Sequence, residues 1–485
     1  MNKSTIRFLT AILALSLTFG IGTSCGGDAP VSGDTTTTVA AETADPNAPD
    51  IPDDLNFGGK TVNIFNFDSG SWNNQLVAES QNGEVLNDAI YAAQIAVEER
   101  LNVTLSEYRG EGDWSGAFSE AQKILAAGDD AYHIYFQVDR NALIMAQEGY
   151  LEPLQNMPYV DLDREYWAQS VNHDLSIAGN LYFSYGDFNL TGYECVNALL
   201  VNKSMITDFG LGNHYDMVLD GSWTLDVMNN NMLTVAQDLN GDNKYDDQDR
   251  YGITSHNKQV LPNFWIAAGL RSIEKNDEDL PVFALPGNEA FAVLYDRILS
   301  MMYDNPVYFN SKVYPDYANN TLFINGQSLY NIVRIAFMRF YRDMDYDYAI
   351  IPYPKADKAQ TDYYSRFEGG AVNFTPKLCV DKELAGAVME QMAYEYQKTV
   401  IPAYYDVVLK NKYTRDEKSV EMLDIIYENR ICDLGDTIWS NAIRDGVFAG
   451  KFDRNDRNLQ STISSMTPKV ENTISQAIEA FNAIE

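Results

Sequence analysis

The densest run of potential ligand atoms in the chain is Asp238-Leu239-Asn240-Gly241-Asp242-Asn243-Lys244-Tyr245-Asp246-Asp247-Gln248-Asp249. Oxygen donors fall at positions 1, 3, 5, 7, 9 and 12 of it: Asp238, Asn240, Asp242, the backbone carbonyl of Lys244, Asp246 and Asp249. That spacing is the one with which an EF-hand type loop wraps a calcium ion. Carboxylates crowded into one turn repel each other unless a hard cation sits among them, so the chemistry expected here is Ca2+ binding. Asn243 stands where such loops prefer Gly, and Asn is the next residue most tolerant of the left-handed backbone needed there. The same residues would also make a solvated acidic turn closed by Asx hydrogen bonds.

The elements around the loop limit what it does. Residues Trp223 to Gln237 are expected as a helix, with Leu225, Met228, Met232 and Val235 near one face, and Tyr251 to Thr254 as a short strand. A single loop between helix and strand is a staple for a corner, not a paired sensor. Asp249, shorter than the usual Glu, makes the loop similar to the dockerin variety of the motif.

The N-terminal half alternates strands and helices. Thr61 to Phe67 alternates as a strand should and is followed by a polar loop containing Trp72 and Asn73. A helix from Leu86 to Leu101, a strand from Asn102 to Tyr108 and a helix from Trp114 to Ala127 come next, the last ending at Gly128. The apolar strand Tyr132 to Val138 runs directly into Asp139-Arg140. This order predicts a parallel α/β sheet, and ligands of such sheets sit beyond the strands' carboxyl ends, where Trp72, Asp139 and Arg140 fall. Further on, Val196 to Asn202 and Tyr348 to Lys355 read as extended segments, Leu322 to Gly326 is followed by an apolar helix through Arg334, and the last hundred residues look mainly helical.

Lys3 and Arg7 precede the apolar run Phe8 to Ile21, which is expected to be an export signal. It ends in Gly22-Thr23-Ser24-Cys25, and small residues before Cys25 are similar to a bacterial lipobox, apart from Gly22 where an aliphatic residue is usual. Residues 26 to 57 hold four consecutive threonines and little to bury, and are expected to form a flexible tether. A net charge of -34 argues against nucleic-acid binding. Cys195, Cys379 and Cys432 are too far apart for a CxxC zinc site.

Several segments, in order, resemble family 1 extracellular solute-binding proteins of ABC transporters, the carbohydrate-type lipoproteins. They are Cys25 with its signal, Val97-Glu98-Glu99 in a helix before a strand, Ala198-Leu199-Leu200-Val201-Asn202-Lys203, Phe323-Ile324-Asn325-Gly326, Ala349 to Lys355, the helix Asp381 to Gln397, and the calcium-type loop before Tyr251-Gly252. The resemblance implies a two-lobed α/β clamshell with discontinuous lobes and a mainly helical C-terminal region. Lobe one would be residues 58–195 plus 370–420 and lobe two 196–369 plus 421–485, after a signal at 1–25 and a tether at 26–57. It further implies capture of a sugar or oligosaccharide, delivery to an ABC permease, and an extracytoplasmic body anchored to the membrane through lipidated Cys25.

Sugars present apolar ring faces and directional hydroxyls, so aromatic platforms and polar side chains are the residues to seek. Trp72, with Asn73 beside it, is the stacking candidate, although a loop Trp also folds over its own hairpin. Trp265 lies in an apolar stretch and is either a second platform or core. Asp139 and Arg140 follow a buried-type strand; Tyr185 and Asp187 approach the expected hinge. Arg334, within Ile332-Val333-Arg334-Ile335-Ala336, needs either an inter-lobe ion pair or a ligand to justify its charge. The rival reading is a secreted, calcium-stabilised glycoside hydrolase, which needs two carboxylates about 5 to 10 Å apart. The sequence has no HExxH, GxSxG or P-loop, and His133, His173, His214 and His256 are scattered, so a non-enzyme is expected.

Overall fold

In a computed structural model, residues 45–311, 320–406, 409, 414 and 416–483 are described. The expected signal, Cys25 and the first part of the tether lie outside the described residues. No helix among the described residues is long and apolar enough to cross a membrane.

The first sheet has the strand order Ala371–Phe374, Ile134–Val138, Lys60–Asn66, Val103–Arg109. The last three are parallel, with Lys60 beside Val103 and Ile64 beside Ile134. Helix Val85–Leu101 turns Ile90, Ala93, Val97 and Leu101 inward and packs on helix Lys382–Pro402. Helix Trp114–Ala127 begins where the Asp113 carboxylate accepts the Ser115 and Gly116 N–H groups and stops at left-handed Gly128. The late strand Ala371–Phe374 runs antiparallel to Ile134–Val138, so the sheet is mixed, not wholly parallel as the early sequence implies.

The second sheet is ordered Tyr348–Ile351, Asn197–Asn202, Ser328–Arg334, Tyr251–Ser255, Tyr308–Asn310. Ser328–Arg334 corrects the expectation of an apolar helix ending at Arg334. All seven of its residues are buried, and it pairs with Asn197–Asn202 on one side and Tyr251–Ser255 on the other. A central strand covered on both faces loses the alternation that would have marked it. Helix Glu417–Glu428 lies against Tyr348–Ile351. The last helix, Leu459–Asn482, stacks Phe481 on Tyr182 at 5.0 Å and so also touches the first lobe's side of the chain. Cys195, Cys379 and Cys432 are buried free thiols.

The chain passes from the first sheet to the second through the short helix Thr191–Glu194 and returns through Glu368-Gly369-Gly370. Gly369 has φ +88°, and a Cβ there would lie 2.4 Å from an Asp139 carboxylate oxygen. A Cβ on Gly370 would lie 2.9 Å from Cys195 Sγ. Both glycines are therefore required for the returning segment to lie so close to Asp139 and Cys195.

Around this return the protein buries a lattice of arginines and carboxylates. Arg334 holds Glu368 through contacts of 2.7 and 3.1 Å. Arg366 lies 3.7 Å from Glu368 and grips Asp436 at 2.5 and 2.9 Å. Arg444 joins Asp436 at 3.2 Å to Asp445 at 3.1 Å. The Asn197 and Gln259 side-chain amides donate to Glu368 at 3.3 and 3.1 Å. Burying each ion costs several kcal/mol, so the lattice holds together only because every charge has partners. Burial would raise the Glu368 carboxyl, but Arg334, Arg366 and Arg444 more than offset that and hold it well below the usual carboxylate range.

A depressed folded pKa places the stability contributed by Glu368 above its unfolded value of 4.5, and that contribution is lost as pH falls below it. Glu368→Gln leaves Arg334 and Arg366 undercompensated and should destabilise the fold by about 3–5 kcal/mol at neutral pH. It should also flatten the acid limb below about pH 4.5. Chemical denaturation at a series of pH values measures both. A variant with the same stability and the same acid limb would show that the lattice carries no weight.

Candidate functional site

Four of the sequence candidates, Trp72, Asp139, Arg140 and Arg334, line one cavity of about 320 Å³. The first three come from loops and helix starts at the carboxyl ends of the first sheet's strands, and Arg334 ends the central strand of the second. The cavity therefore opens between the two sheets, with Glu368 and Gly369 of the return segment and Thr437 and Arg444 of the C-terminal region completing it. Its size lies at the lower end of the range for small-molecule sites.

The Trp72 loop is folded on Ser69, whose hydroxyl donates to the Trp72 carbonyl and accepts from the Trp72 N–H at 3.1 Å. The indole meets Phe67 edge-on with centroids 6.4 Å apart, and the Arg334 guanidinium lies over its ring at 5.5 Å. Its Nε1 is buried without a hydrogen-bond partner among the described residues. Asn73 does not line that cavity. Its backbone N–H donates to Glu194 at 2.5 Å, and it lines an open polar depression, bordered also by Trp72, with Gln75, Asn82, Asn87 and Arg109. Burial pushes the Glu194 carboxyl up to about 7 despite the Asn73 N–H.

Asp139 is buried at the start of helix Asp139–Gln147. One of its oxygens accepts the Arg140 backbone N–H at 2.7 Å, and the other accepts the Tyr185 hydroxyl at 3.1 Å. Burial raises its carboxyl to about 6, against the pull of Arg140. Tyr185 is fully buried behind the cavity, where its oxygen also accepts the Gly370 N–H at 2.6 Å; it positions Asp139 and does not line the cavity. Asp187 lies beyond, beside Arg430 and Tyr193, with burial raising its carboxyl to about 7. Trp265 is not a platform. It is 2% exposed, packed against Phe291 and Phe448, and its indole N–H donates to buried Asp433 at 2.9 Å. The apolar stretch around it was core, as such stretches usually are.

Sequence reasoning missed Trp114, a half-buried cavity residue whose ring carries the Arg140 guanidinium at 4.6 Å. A Trp directly after a helix cap, at the carboxyl side of a strand, was the available signal. Glu368, Thr437 and Arg444 had no local signal, because distant pairing brings them to the cavity.

The acidic loop lies elsewhere, between helix Leu225–Val235 and strand Tyr251–Ser255. Asn243 takes φ 61° and Gly241 φ 74°, so the left-handed turn that a calcium loop needs is present. Asp238 accepts the Gly241 and Asn243 N–H groups at 2.7 and 2.8 Å, Asn240 accepts Asp242 N–H at 2.9 Å, Asp242 accepts Lys244 N–H at 2.8 Å, and Asp246 accepts Gln248 N–H at 2.9 Å. Asp249 is fully buried and accepts Leu239 and Asp246 N–H groups at 2.9 and 3.0 Å. Among the described residues no three His, Cys, Asp or Glu side chains converge as a metal cage. The donor set and the turn fit a calcium ion, while the side chains as placed face the loop's own amides.

No family model matches the sequence, and no curated protein is significantly similar to it. Solved structures do match its fold. The sugar-binding protein MalE from Xanthomonas citri superposes with a TM-score of 0.60 at 13% identity, covering 87% of this chain and 99% of that one. A cyclo/maltodextrin-binding protein complexed with maltotetraose gives 0.56 at 12% identity, covering 88% and 97%. A solute-binding protein of an ABC transporter from Thermotoga lettingae, bound with alpha-D-tagatose, gives 0.52 at 14% identity, covering 86% and 100%. The chain has the two-lobed α/β clamshell fold of ABC-transporter solute-binding proteins.

Proposed function

We propose that the protein captures a sugar or oligosaccharide between its two lobes, outside the cytoplasm, and hands it to an ABC-type permease. The observation that carries this reading is the inter-lobe cavity itself. Trp72 and Trp114 supply aromatic faces, and Arg140, Arg334 and Asp139 supply polar groups in fixed directions. Contacts made by one ligand to both lobes favour the closed state over the open one, which is what a carrier needs. The fold-sharing proteins described with maltotetraose and alpha-D-tagatose support a saccharide over other solutes. Lipidation of Cys25 would hold the body at the membrane surface beside its permease.

Binding without turnover is supported by how two of the cavity's three carboxylates, Asp139 and Glu368, are engaged, while the third, Asp113, caps its helix. Asp139 gives both oxygens to protein donors, and Glu368 is gripped by Arg334, Asn197 and Gln259. A glycoside hydrolase needs one carboxyl free to protonate a leaving group and another free to attack or to activate water. In the acidic loop, a Ca2+ ion would be held by Asp238, Asn240, Asp242, the Lys244 carbonyl, Asp246 and Asp249, stabilising the folded form alone.

Thermal-shift and calorimetric screening against mono- and oligosaccharides should find a sugar that raises the melting temperature and is recovered intact. Trp72→Ala should weaken its binding about tenfold or more, because stacking and desolvated aromatic area are lost. Absence of any sugar binding, or release of cleaved glycan, would contradict the carrier reading. Chelation with EDTA should lower the melting temperature, with readdition of Ca2+ restoring it. An unchanged melting temperature would remove calcium from the account.

A further inference from the structure

We infer that the ligand is a neutral oligosaccharide, not a single sugar, whose chain leaves the inter-lobe cavity past Trp72 and continues over the polar depression on the first lobe. This inference rests on the saccharide reading and deepens it.

The depression is built by the connection from strand Lys60–Asn66 to helix Val85–Leu101. Connections of this kind usually take about two to six residues, and much longer ones in compact folds are commonly functional. Residues 67–84 far exceed that length, yet they are pinned at many points. The largely buried Glu107 carboxylate accepts the Leu76 and Val77 N–H groups at 3.1 and 2.9 Å and the Asn66 side-chain amide at 2.7 Å. Gln94 accepts the Ala78 N–H at 3.0 Å, and Asp88 accepts the Asn82 N–H at 2.9 Å. The surface is therefore formed before a ligand arrives, which removes the cost of ordering it from binding.

Its lining is rich in amides that are engaged at one end only. Asn73 Oδ1 accepts the Gln75 N–H at 3.0 Å, Gln75 Nε2 donates to the Val77 carbonyl at 3.0 Å, and Asn82 Oδ1 accepts the Glu84 N–H at 2.8 Å. Asn87 Nδ2 donates to the Ser80 carbonyl at 2.8 Å, and buried Asn74 donates through Nδ2 to the Phe67 carbonyl at 2.7 Å. The other end of each of these five amides meets no hydrogen-bond partner among the described residues. Their planes are thus held by the loop, leaving donors and acceptors side by side for hydroxyls, which both donate and accept. The depression's charges are Asp68, Glu79 and Glu107 against Arg109, and Arg109 is paired with Glu107 at 3.0 Å. Such a surface favours a neutral chain over an anion.

Trp72 joins this surface to the cavity, because it borders both. Ser69 and Ser71 line the cavity while Asp68 and Gly70 line the depression, so one turn of chain serves the two. The cavity alone is about 320 Å³, and the depression adds about 700 Å³ beside it. Every residue lining the depression falls between Asp68 and Arg109, on the first lobe alone. Rings seated there tighten binding to the open and closed forms alike, while the ring between the lobes drives closure.

The test is calorimetric titration of the full-length protein with neutral length series: glucose with its maltose- and cellobiose-type oligomers, and galactose, mannose and xylose with theirs. In the series that binds, a two- to four-ring member should bind about tenfold tighter or more than its single ring. The double variant Gln75→Ala/Asn87→Ala should remove most of that gain, and Asn82→Ala, at an exposed position, should remove part of it, with thermal unfolding confirming that both are folded. Small-angle scattering at saturation should give the same closed radius of gyration with one ring as with several. A single ring binding as tightly as its oligomers, a length gain untouched by the variants, or tighter closure with the oligomer would overturn the inference while leaving the saccharide reading in place. Binding of no sugar of any length would overturn both.

Discussion

The grip of Arg334 and Arg366 on Glu368 is the interaction on which the rest of the site depends. Glu368 immediately precedes the two glycines through which the chain returns to the first sheet, so fixing its carboxylate fixes where that return begins. Gly370 in turn donates its N–H to Tyr185, and Tyr185 holds Asp139. On the other side, Arg334 closes the second sheet's central strand and lies over Trp72 of the first lobe. One buried carboxylate thereby ties the hinge, the polar wall and the aromatic platform together. The desolvation cost explains why the lattice is so complete: an arginine left unmatched at that depth would destabilise the fold more than the pair stabilises it.

Four of the six tryptophans divide by what their indole N–H groups find. Trp167 donates to Glu390, Trp223 to the Pro352 carbonyl and Trp265 to Asp433, and all three are buried core. Among the described residues Trp72 has no such partner, and it sits half-buried at the cavity wall. Buried indole N–H groups normally find an acceptor, so the Trp72 ring is one that the core did not claim.

Much of the first lobe was legible in the sequence because its signals are local. Alternation marked Thr61 to Phe67, observed as the strand Lys60–Asn66, and Gly128 marked the end of the helix Trp114–Ala127. The helix and strand flanking the acidic loop were equally readable. The central strand Ser328–Arg334 was not, since burial on both faces erases the period that separates strand from helix. Trp72, Asp139, Arg140 and Arg334, singled out as strand-end or charge-in-apolar-run residues, line one cavity. Glu368, Asp436 and Arg444 were invisible because their partners lie far off in the chain or are themselves recognised only once the fold is known. Tyr185 was found for the wrong reason: it stands behind the site, holding Asp139, instead of touching a ligand.

The sharpest test is a structure of the protein with its tightest-binding sugar. It should show an intact saccharide in the cavity between the lobes, its ring against Trp72 or Trp114 and its polar groups on Arg140, Arg334 or Asp139. A ligand bound outside that cavity, or a cleaved glycan within it, would mean that the protein is not a carrier that captures sugar there.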